Sequence, residues 1–451
     1  MRRSRRIIFG ASVLCLLIIV FFLSPLLFNR DTGSGGGSNG RILIRDIGAG
    51  DFKKIILTNG KGVLVFKRNG KGLEAEVPPG IGVDNEKVYQ IGLAALKVNA
   101  EVKIKPEEGG YGKYGLENPS GKVEVVLNSG EIKRLFIGSK TSGANGIYVK
   151  LDGSDYVYIL GRKYLNTFLS TLDDLRLRNL PEININKITY LKIAGSRKIE
   201  ILPVEPGELI NGGYSVMKMI GPYRPRGIDA KKLSEYLKSI PNPLVIKDFI
   251  DDNPETLSQF GLGTDAVEFI LADSKSSLHI YVGDDDKKGG RYIRQAGSPQ
   301  VFTIDSSDLK FLDIEPFNIT EKLIFLMNIE YVDAMGFIES GKRYNFGIKR
   351  SKDSTEYYFN SKQMDEKKFK ELYKSVIGLI ADGESSGFEK PDYRGAELEI
   401  HFRLNKGKDR NIRIKFVNAG GDFYLVYING ISEFVVSDTQ ISKIKNILST
   451  F

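Results

Sequence analysis

An apolar residue followed by aspartate recurs three times at intervals of about 140 residues, as Val83-Asp84, Ile228-Asp229 and Met364-Asp365. Each step opens a stretch with helical periodicity: DNEKVYQIGLAALKV, DAKKLSEYLKSI and DEKKFKELYKSVIGLI. Aspartate caps a helix because its carboxylate accepts the free amide hydrogens of the first turn, and an apolar residue before it staples the entry. In the third stretch Phe369, Leu372, Tyr373, Val376, Ile377 and Ile380 share one face, and in the second Leu233, Tyr236, Leu237 and Ile240 do. These stripes read as core, not as a cofactor site. Whatever else the chain contains, it must fold as a tandem array.

The residues between the helices read as strands. The first copy has Tyr114-Gly115-Leu116, then KVEVVL (122–127), IKRLFIG (132–138), GIYVK (146–150) and YVYIL (156–160). The second has Phe260-Gly261-Leu262, then AVEFIL (266–271), LHIYVG (278–283), RYIR (291–294) and QVFTI (300–304). Gly138 corresponds to Gly283, and Tyr148 to Tyr292. The third copy has AELEIHFRL (396–404), NIRIKFV (411–417), FYLVYI (423–428) and EFVVS (433–437). It lacks the aromatic-Gly-Leu step and places Asn418 near the corresponding glycine, so its last loops are expected to differ. A short helix closes each copy, at 164–172, 306–312 and 438–448, and a β-rich lead-in precedes each capped helix. Turns such as Asn128-Ser129-Gly130 favour antiparallel hairpins over parallel crossovers. The expectation is an α+β fold in three repeats, 51–186, 187–326 and a divergent 327–451, each with antiparallel strands and two helices.

Ahead of the repeats lies Ile7 to Phe28, twenty-two residues without a charge. As a helix this stretch is about 33 Å long, enough for the roughly 30 Å hydrocarbon core of a bilayer. Arg2, Arg3, Arg5 and Arg6 precede it and Arg30 alone follows closely. The positive-inside bias therefore predicts a basic cytoplasmic tail at 1–6, an N-terminal transmembrane helix at 7–28, and an extracytoplasmic remainder hung on a Gly/Ser-rich linker at 29–50. Removal as a signal peptide is the rival reading. The apolar run is longer than a usual signal core, and Asn29-Arg30-Asp31 offers no small-x-small site. Acylation at Cys15 is disfavoured by the bulky Leu14 before it.

The chain has 65 basic and 56 acidic residues, but the first 30 hold five of the basic ones and no acidic one, leaving +4 on the rest. The basic balance is thus largely topogenic and does not signal nucleic-acid binding. Cys15 is the only cysteine, so no intrachain disulfide or thiolate zinc site can form. The two histidines, His279 and His401, fall on different strands and read as satisfied strand residues. Gly121-Lys122 and Gly138-Ser139-Lys140-Thr141 fail the spacing of a phosphate loop. Asp284-Asp285-Asp286 lacks the alternation of a calcium loop and reads as a solvated turn. No catalytic, cofactor-binding or metal residue is singled out. One stretch suggests a partner interface: Gly221-Pro222-Tyr223-Arg224-Pro225-Arg226-Gly227, found in the second copy alone. Tyr223, Arg224 and Arg226 are residue types favoured at interfaces, and the prolines limit the entropy lost on binding. The alternative is a rigid loop covering the edge of the core.

Tyr114-Gly115-Leu116-Glu117-Asn118-Pro119, the strand pair ending in Ile137-Gly138, and the later Tyr148-Val149 and Val157-Tyr158 strands resemble the bacterial domain of unknown function 4340 family. Asp173-Asp174-Leu175-Arg176 fits the same pattern. The resemblance covers about residues 50–320 well and the third copy weakly. It implies a protein anchored in the bacterial cytoplasmic (inner) membrane with its bulk in the periplasm. Members often stand beside ABC-type export permeases and gliding-type auxiliary subunits, which implies an accessory role in an envelope transporter. The leading expectation is a non-enzymatic accessory or scaffold protein. A module binding envelope polysaccharide comes second, since tandem repeats give avidity, and an enzyme third.

Overall fold

The computed structural model describes residues 48–451 except 71, 78–80, 97–99, 101, 109, 209, 211–214, 390–394 and 408–409. The apolar stretch 7–28 lies outside the described residues; among these, no helix is long and apolar enough to cross a membrane.

Three sheets follow one another along the chain. The first contains β1 (Phe52–Asn59), β2 (Gly62–Asn69), β3 (Gly72–Val77), β4 (Val102–Ile104), β5 (Gly121–Leu127), β6 (Ile132–Lys140), β7 (Gly146–Leu151) and β8 (Val157–Gly161). Their order is β3-β2-β1-β5-β6-β7-β8-β4. The second contains β9 (Ile188–Ala194), β10 (Lys198–Pro203), β11 (Met217–Gly221), β12 (Arg226–Gly227), β13 (Phe249–Asp251), β14 (Val267–Asp273), β15 (Ser277–Asp285), β16 (Gly290–Gln295) and β17 (Val301–Asp305). Their order is β12-β11-β10-β9-β14-β15-β16-β17-β13. The third contains β18 (Val332–Glu339), β19 (Lys342–Arg350), β20 (Thr355–Phe359), β21 (Lys362–Met364), β22 (Gly383–Glu384), β23 (Leu398–Leu404), β24 (Asn411–Asn418), β25 (Phe423–Ile428) and β26 (Ile431–Ser437). Their order is β21-β20-β19-β18-β23-β24-β25-β26-β22.

All three obey one scheme. The chain enters at a central strand and steps outward to one edge. A helix then carries it to the opposite edge, where a short strand forms. It returns to the centre and steps outward until it pairs with that short strand. The central pairs β1–β5, β9–β14 and β18–β23 are antiparallel, as are the far-edge pairs β4–β8, β13–β17 and β22–β26.

This topology corrects the α+β expectation. The fold is three largely antiparallel sheets with helices in a subordinate place. The helices are α1 (Asn85–Leu96), α2 (Arg162–Phe168), α3 (Leu172–Leu175), α4 (Ala230–Ser239), α5 (Pro316–Ile319), α6 (Glu366–Ile377) and α7 (Asp438–Leu448). The closing helix expected at 306–312 is a 3₁₀ turn, Ser306–Asp313. The edge strands β4, β12, β13, β21 and β22 have only two or three residues, too few for any alternation to show. Sheet pairing creates them, not local pattern.

The crossing helices begin where the aspartates predict. Asp84 accepts from the backbone amides of Glu86 and Lys87 at 3.1 and 3.3 Å, Asp229 from those of Lys231 and Lys232 at 2.9 and 3.0 Å, and Asp365 from that of Lys368 at 3.0 Å. Gly92 is needed inside α1 because a Cβ there would stand 2.8 Å from the Phe52 ring and 2.9 Å from Ile55. The apolar residue of the step has a second task. Val83 bridges Arg176, and Ile228 bridges Thr320, so in the first two repeats the segment leaving the closing helix seals the entry of its own crossing helix.

The chain divides into two compact units, up to Leu177 and from Arg178. The first unit has its own core, which includes Phe52, Phe66, Val88, Leu135 and Phe168. The second unit holds the second and third sheets around one continuous core, from Leu180 through Phe269, Phe325 and Phe369 to Leu448. The segment between these two sheets is shared in the same way as above. Thr320 pairs with the entry of α4, and Leu323 then bridges Ile380 after α6.

Candidate functional site

Two places in the second and third repeats hold polar chemistry beyond sheet maintenance. One is the seam between their sheets, built around the stretch that the sequence singles out. β11 and β12 form a hairpin pairing Lys218 with Gly227 and Met219 with Arg226. The turn between them sends Tyr223, Arg224 and Arg226 toward the third repeat.

Tyr223 is buried, its ring 4.9 Å from that of Phe434, and its hydroxyl donates to Oε1 of Glu384 on β22. Burial, and then the Glu384 carboxylate, push its phenol well above the usual range. The Arg224 amide donates to Oε1 of Glu433 at 2.6 Å, and its guanidinium stays partly exposed near the same carboxylate. Arg226 is 1% exposed. Its Nε donates to the Glu321 carbonyl at 2.8 Å, its Nη2 donates to the Leu323 carbonyl, and its guanidinium lies 4.4 Å from the Phe434 ring centre. Burial lowers its pKa to about 10.

The structure therefore brings the three candidate interface residues together, at a seam within the chain itself. Tyr223 and Arg226 are committed to that seam, and Arg224 reaches the cleft beside it. Sequence reasoning missed their partners Phe434, Glu384 and Glu433, which sit in ordinary strand patterns with no signal of the contact. The cleft measures about 820 Å³. Phe325, Met327, Leu404 and Ile428 line its apolar part; Lys218, Glu208, Arg224 and Lys406 line its polar part. Lys218, nearly buried, gives its ammonium to both Glu208 oxygens at 2.6 and 2.7 Å.

The second place is the outer face of each sheet, opposite the crossing helix. A glutamate recurs there at the same register in the second and third sheets, as Glu268 and Glu399 on the central strands β14 and β23, while in the first sheet Glu124 on β5 stands two residues further along. The Lys122 hydrogen bond holds Glu124 below the ordinary carboxylate range, and the Lys192 hydrogen bond does the same for Glu268. For Glu399, burial pushes upward but hydrogen bonds from Lys415 and His401 outweigh it. The histidines belong to this pattern. His279 Nε2 lies 2.9 Å from Glu268 and His401 Nε2 lies 3.2 Å from Glu399. The repeated glutamate is visible in VEFIL and LEIHF and could have been read there.

The Asp284-Asp285-Asp286 stretch forms a turn, with Asp286 accepting from the amides of Lys288 and Gly290. Among the described residues, no group of three or more His, Asp or Glu side chains is placed to hold a metal ion.

The aromatic-Gly-Leu step proves to be a buckle. Gly115 and Gly261 end short 3₁₀ turns in the left-handed region, at φ 71° and 66°. A Cβ on Gly138 would meet the Tyr114 carbonyl oxygen at 2.2 Å, and one on Gly283 would meet that of Phe260 at 2.1 Å. Tyr114 packs on Tyr148 at 5.0 Å and 60°, and Phe260 on Tyr292 at 5.0 Å and 61°. In the third repeat Phe388 on Phe423, at 5.8 Å, takes this place without the glycine step.

A family model described as "Domain of unknown function (DUF4340)" matches the chain twice, over residues 78–252 and 218–393. Together the matches cover more than half of it. The chain belongs to the DUF4340 family. Each DUF4340 match starts just before a crossing helix and ends beyond the next one, so the family unit is offset from the single sheet. No curated protein and no solved structure matches the chain.

Proposed function

We propose that this DUF4340 protein is a non-enzymatic, membrane-anchored extracytoplasmic accessory or scaffold protein of an ABC-type transporter or another envelope complex. The observation that supports this reading is the seam of the second unit. Two sheets share one core, and the cleft beside the seam is shaped by buried groups with fixed partners, Tyr223 on Glu384 and Arg226 on two carbonyls. A preformed, amphipathic cleft on a rigid support loses little entropy on engaging a partner. The charge-free stretch at 7–28 and the arginines before it supply the anchor and its orientation.

The test is photocrosslinking in cells with the full chain, with a probe at Lys406 beside the cleft and another at Lys231 on α4. Recovery of a transporter permease or auxiliary subunit from the Lys406 probe, and not from Lys231, is expected. Absence of any membrane transporter component from the Lys406 sample refutes the proposal.

A further inference from the structure

The third sheet departs from the first two at one spot on its outer face. In the second repeat Tyr190 lies opposite Ala272, and Lys192 opposite Ile270, beside the recurring glutamate. Lys192 closes on Glu268 at 2.6 Å, and Tyr190 donates to Glu200 at 2.7 Å. In the first repeat Lys54, opposite Val126, is likewise paired, with Glu76 at 2.5 Å. The corresponding residues of the third repeat are Ala334, opposite Arg403, and Gly336, opposite His401. Two large side chains are thus replaced by the smallest ones. A trough of about 620 Å³ stands in their place.

The walls change in the opposite sense. The neighbouring-strand position that is His279 in the second repeat is Arg413 in the third; in the first it is Arg134, which Glu124 engages at 2.9 Å. The central-strand position that is Ala272 in the second is Arg403. Lys415 and His401 are engaged by Glu399, at 2.7 and 3.2 Å. The guanidinium groups of Arg403 and Arg413 are exposed and have no carboxylate within ion-pair distance among the described residues. On the outer face of the first sheet, by contrast, Lys122 and Arg134 are matched by Glu124.

We infer that this trough, floored by Ala334 and Gly336 and walled by His401, Arg403, Arg413 and Asn429, binds a carboxylate-bearing sugar of an acidic glycan. The volume lies within the range of about 300–1,000 Å³ typical of small-ligand sites. Arginine forks match carboxylates in a planar, bidentate way, while the amide and imidazole side chains suit hydroxyl groups. The site is on a sheet face whose backbone groups are already paired, so the main-chain bonding by which sheets capture peptides is not on offer. A ligand recognised through pendant oxyanions and hydroxyls fits better than an acidic peptide. Alternate residues on a strand are about 7 Å apart and neighbouring strands about 5 Å, spacings on the scale of a sugar unit. This inference stands independently of the transporter proposal.

The experiment measures binding of the full chain, in neutral detergent, to polygalacturonate, with dextran as the uncharged control. Polygalacturonate is expected to bind, dextran not, and added salt to weaken the complex. The double variant Arg403→Ala/Arg413→Ala should bind about tenfold or more weakly through loss of two charge-assisted contacts. Gly336→Lys should refill the trough as Lys192 does in the second repeat and abolish binding; a Cβ there meets nothing closer than 3.8 Å, so the fold tolerates it. Competition by free galacturonate identifies a single-sugar site, and retention of polymer alone identifies a chain-length site; either supports the inference. No binding, binding unchanged in both variants, or equally tight binding of poly-glutamate overturns it.

Discussion

Phe434→Ala tests whether the second and third sheets are one cooperative body. Phe434 is 3% exposed, and three groups from the other side of the seam meet its ring: Tyr223 at 4.9 Å, Phe317 at 6.0 Å and the Arg226 guanidinium at 4.4 Å. Truncating a buried phenylalanine costs about 3–5 kcal/mol through lost transfer energy and the cavity left behind. A desolvated cation–π contact adds about 2 kcal/mol that is not fully independent of the packing. A total near 4 kcal/mol lowers the midpoint of a unit of this size by roughly 8–16 °C. Hydrogen exchange read peptide by peptide is the decisive assay. If the sheets open together, protection falls about a thousandfold in the core strands of both 188–305 and 332–437. The core strands of the first unit, which has a separate core, serve as the internal reference. A loss confined to 332–437 would show that the two sheets open separately and would refute the single-core argument.

Gly283→Ala should destabilise the second unit by about 1–3 kcal/mol in denaturant titrations, because its Cβ collides with a backbone carbonyl; Gly347→Ala, with open space around it, should be near neutral. Asp229→Ala should cost about 1 kcal/mol, with Asn at the same site largely retaining the cap. The pH dependence centres on Lys322. Burial and then Arg226 lower its pKa from 10.5 to about 8, against the weaker pull of Glu384 and Asp229. Between these two values the unfolded chain holds more protons than the folded one, so stability should rise as pH climbs from about 8 toward 10. Lys322→Met should flatten that rise in thermal melts across the same window.

The three crossing helices were legible because each rule needed only neighbours in sequence. Asp84, Asp229 and Asp365 cap the first turns of their own helices, and Phe369, Leu372, Tyr373 and Val376 of the expected stripe form the buried face of α6, while Ile380 falls beyond its end and is exposed. Gly138 with Gly283, and Tyr148 with Tyr292, were equally readable, since the same close approach is made twice. The balance of strand over helix was not. β12 and β22 are two residues long and exist because a neighbour offers free carbonyls and amides. The seam was half legible: Tyr223, Arg224 and Arg226 stood out as unusual, but their residue types suit an internal contact as well as an external one. What separates the two is Phe434, some two hundred residues away.

By itself, then, the sequence determined the number of repeats, the placement of the three crossing helices and several of the matching positions between copies. These depend on local hydrogen bonding and periodicity. Tertiary structure alone decided that each crossing helix joins opposite edges of a sheet, that the second and third sheets share a core, and that Ala334 and Gly336 open a trough between two exposed arginines. Those outcomes depend on strand register and on contacts between distant residues, where a short side chain acquires meaning only from what its neighbours leave unfilled.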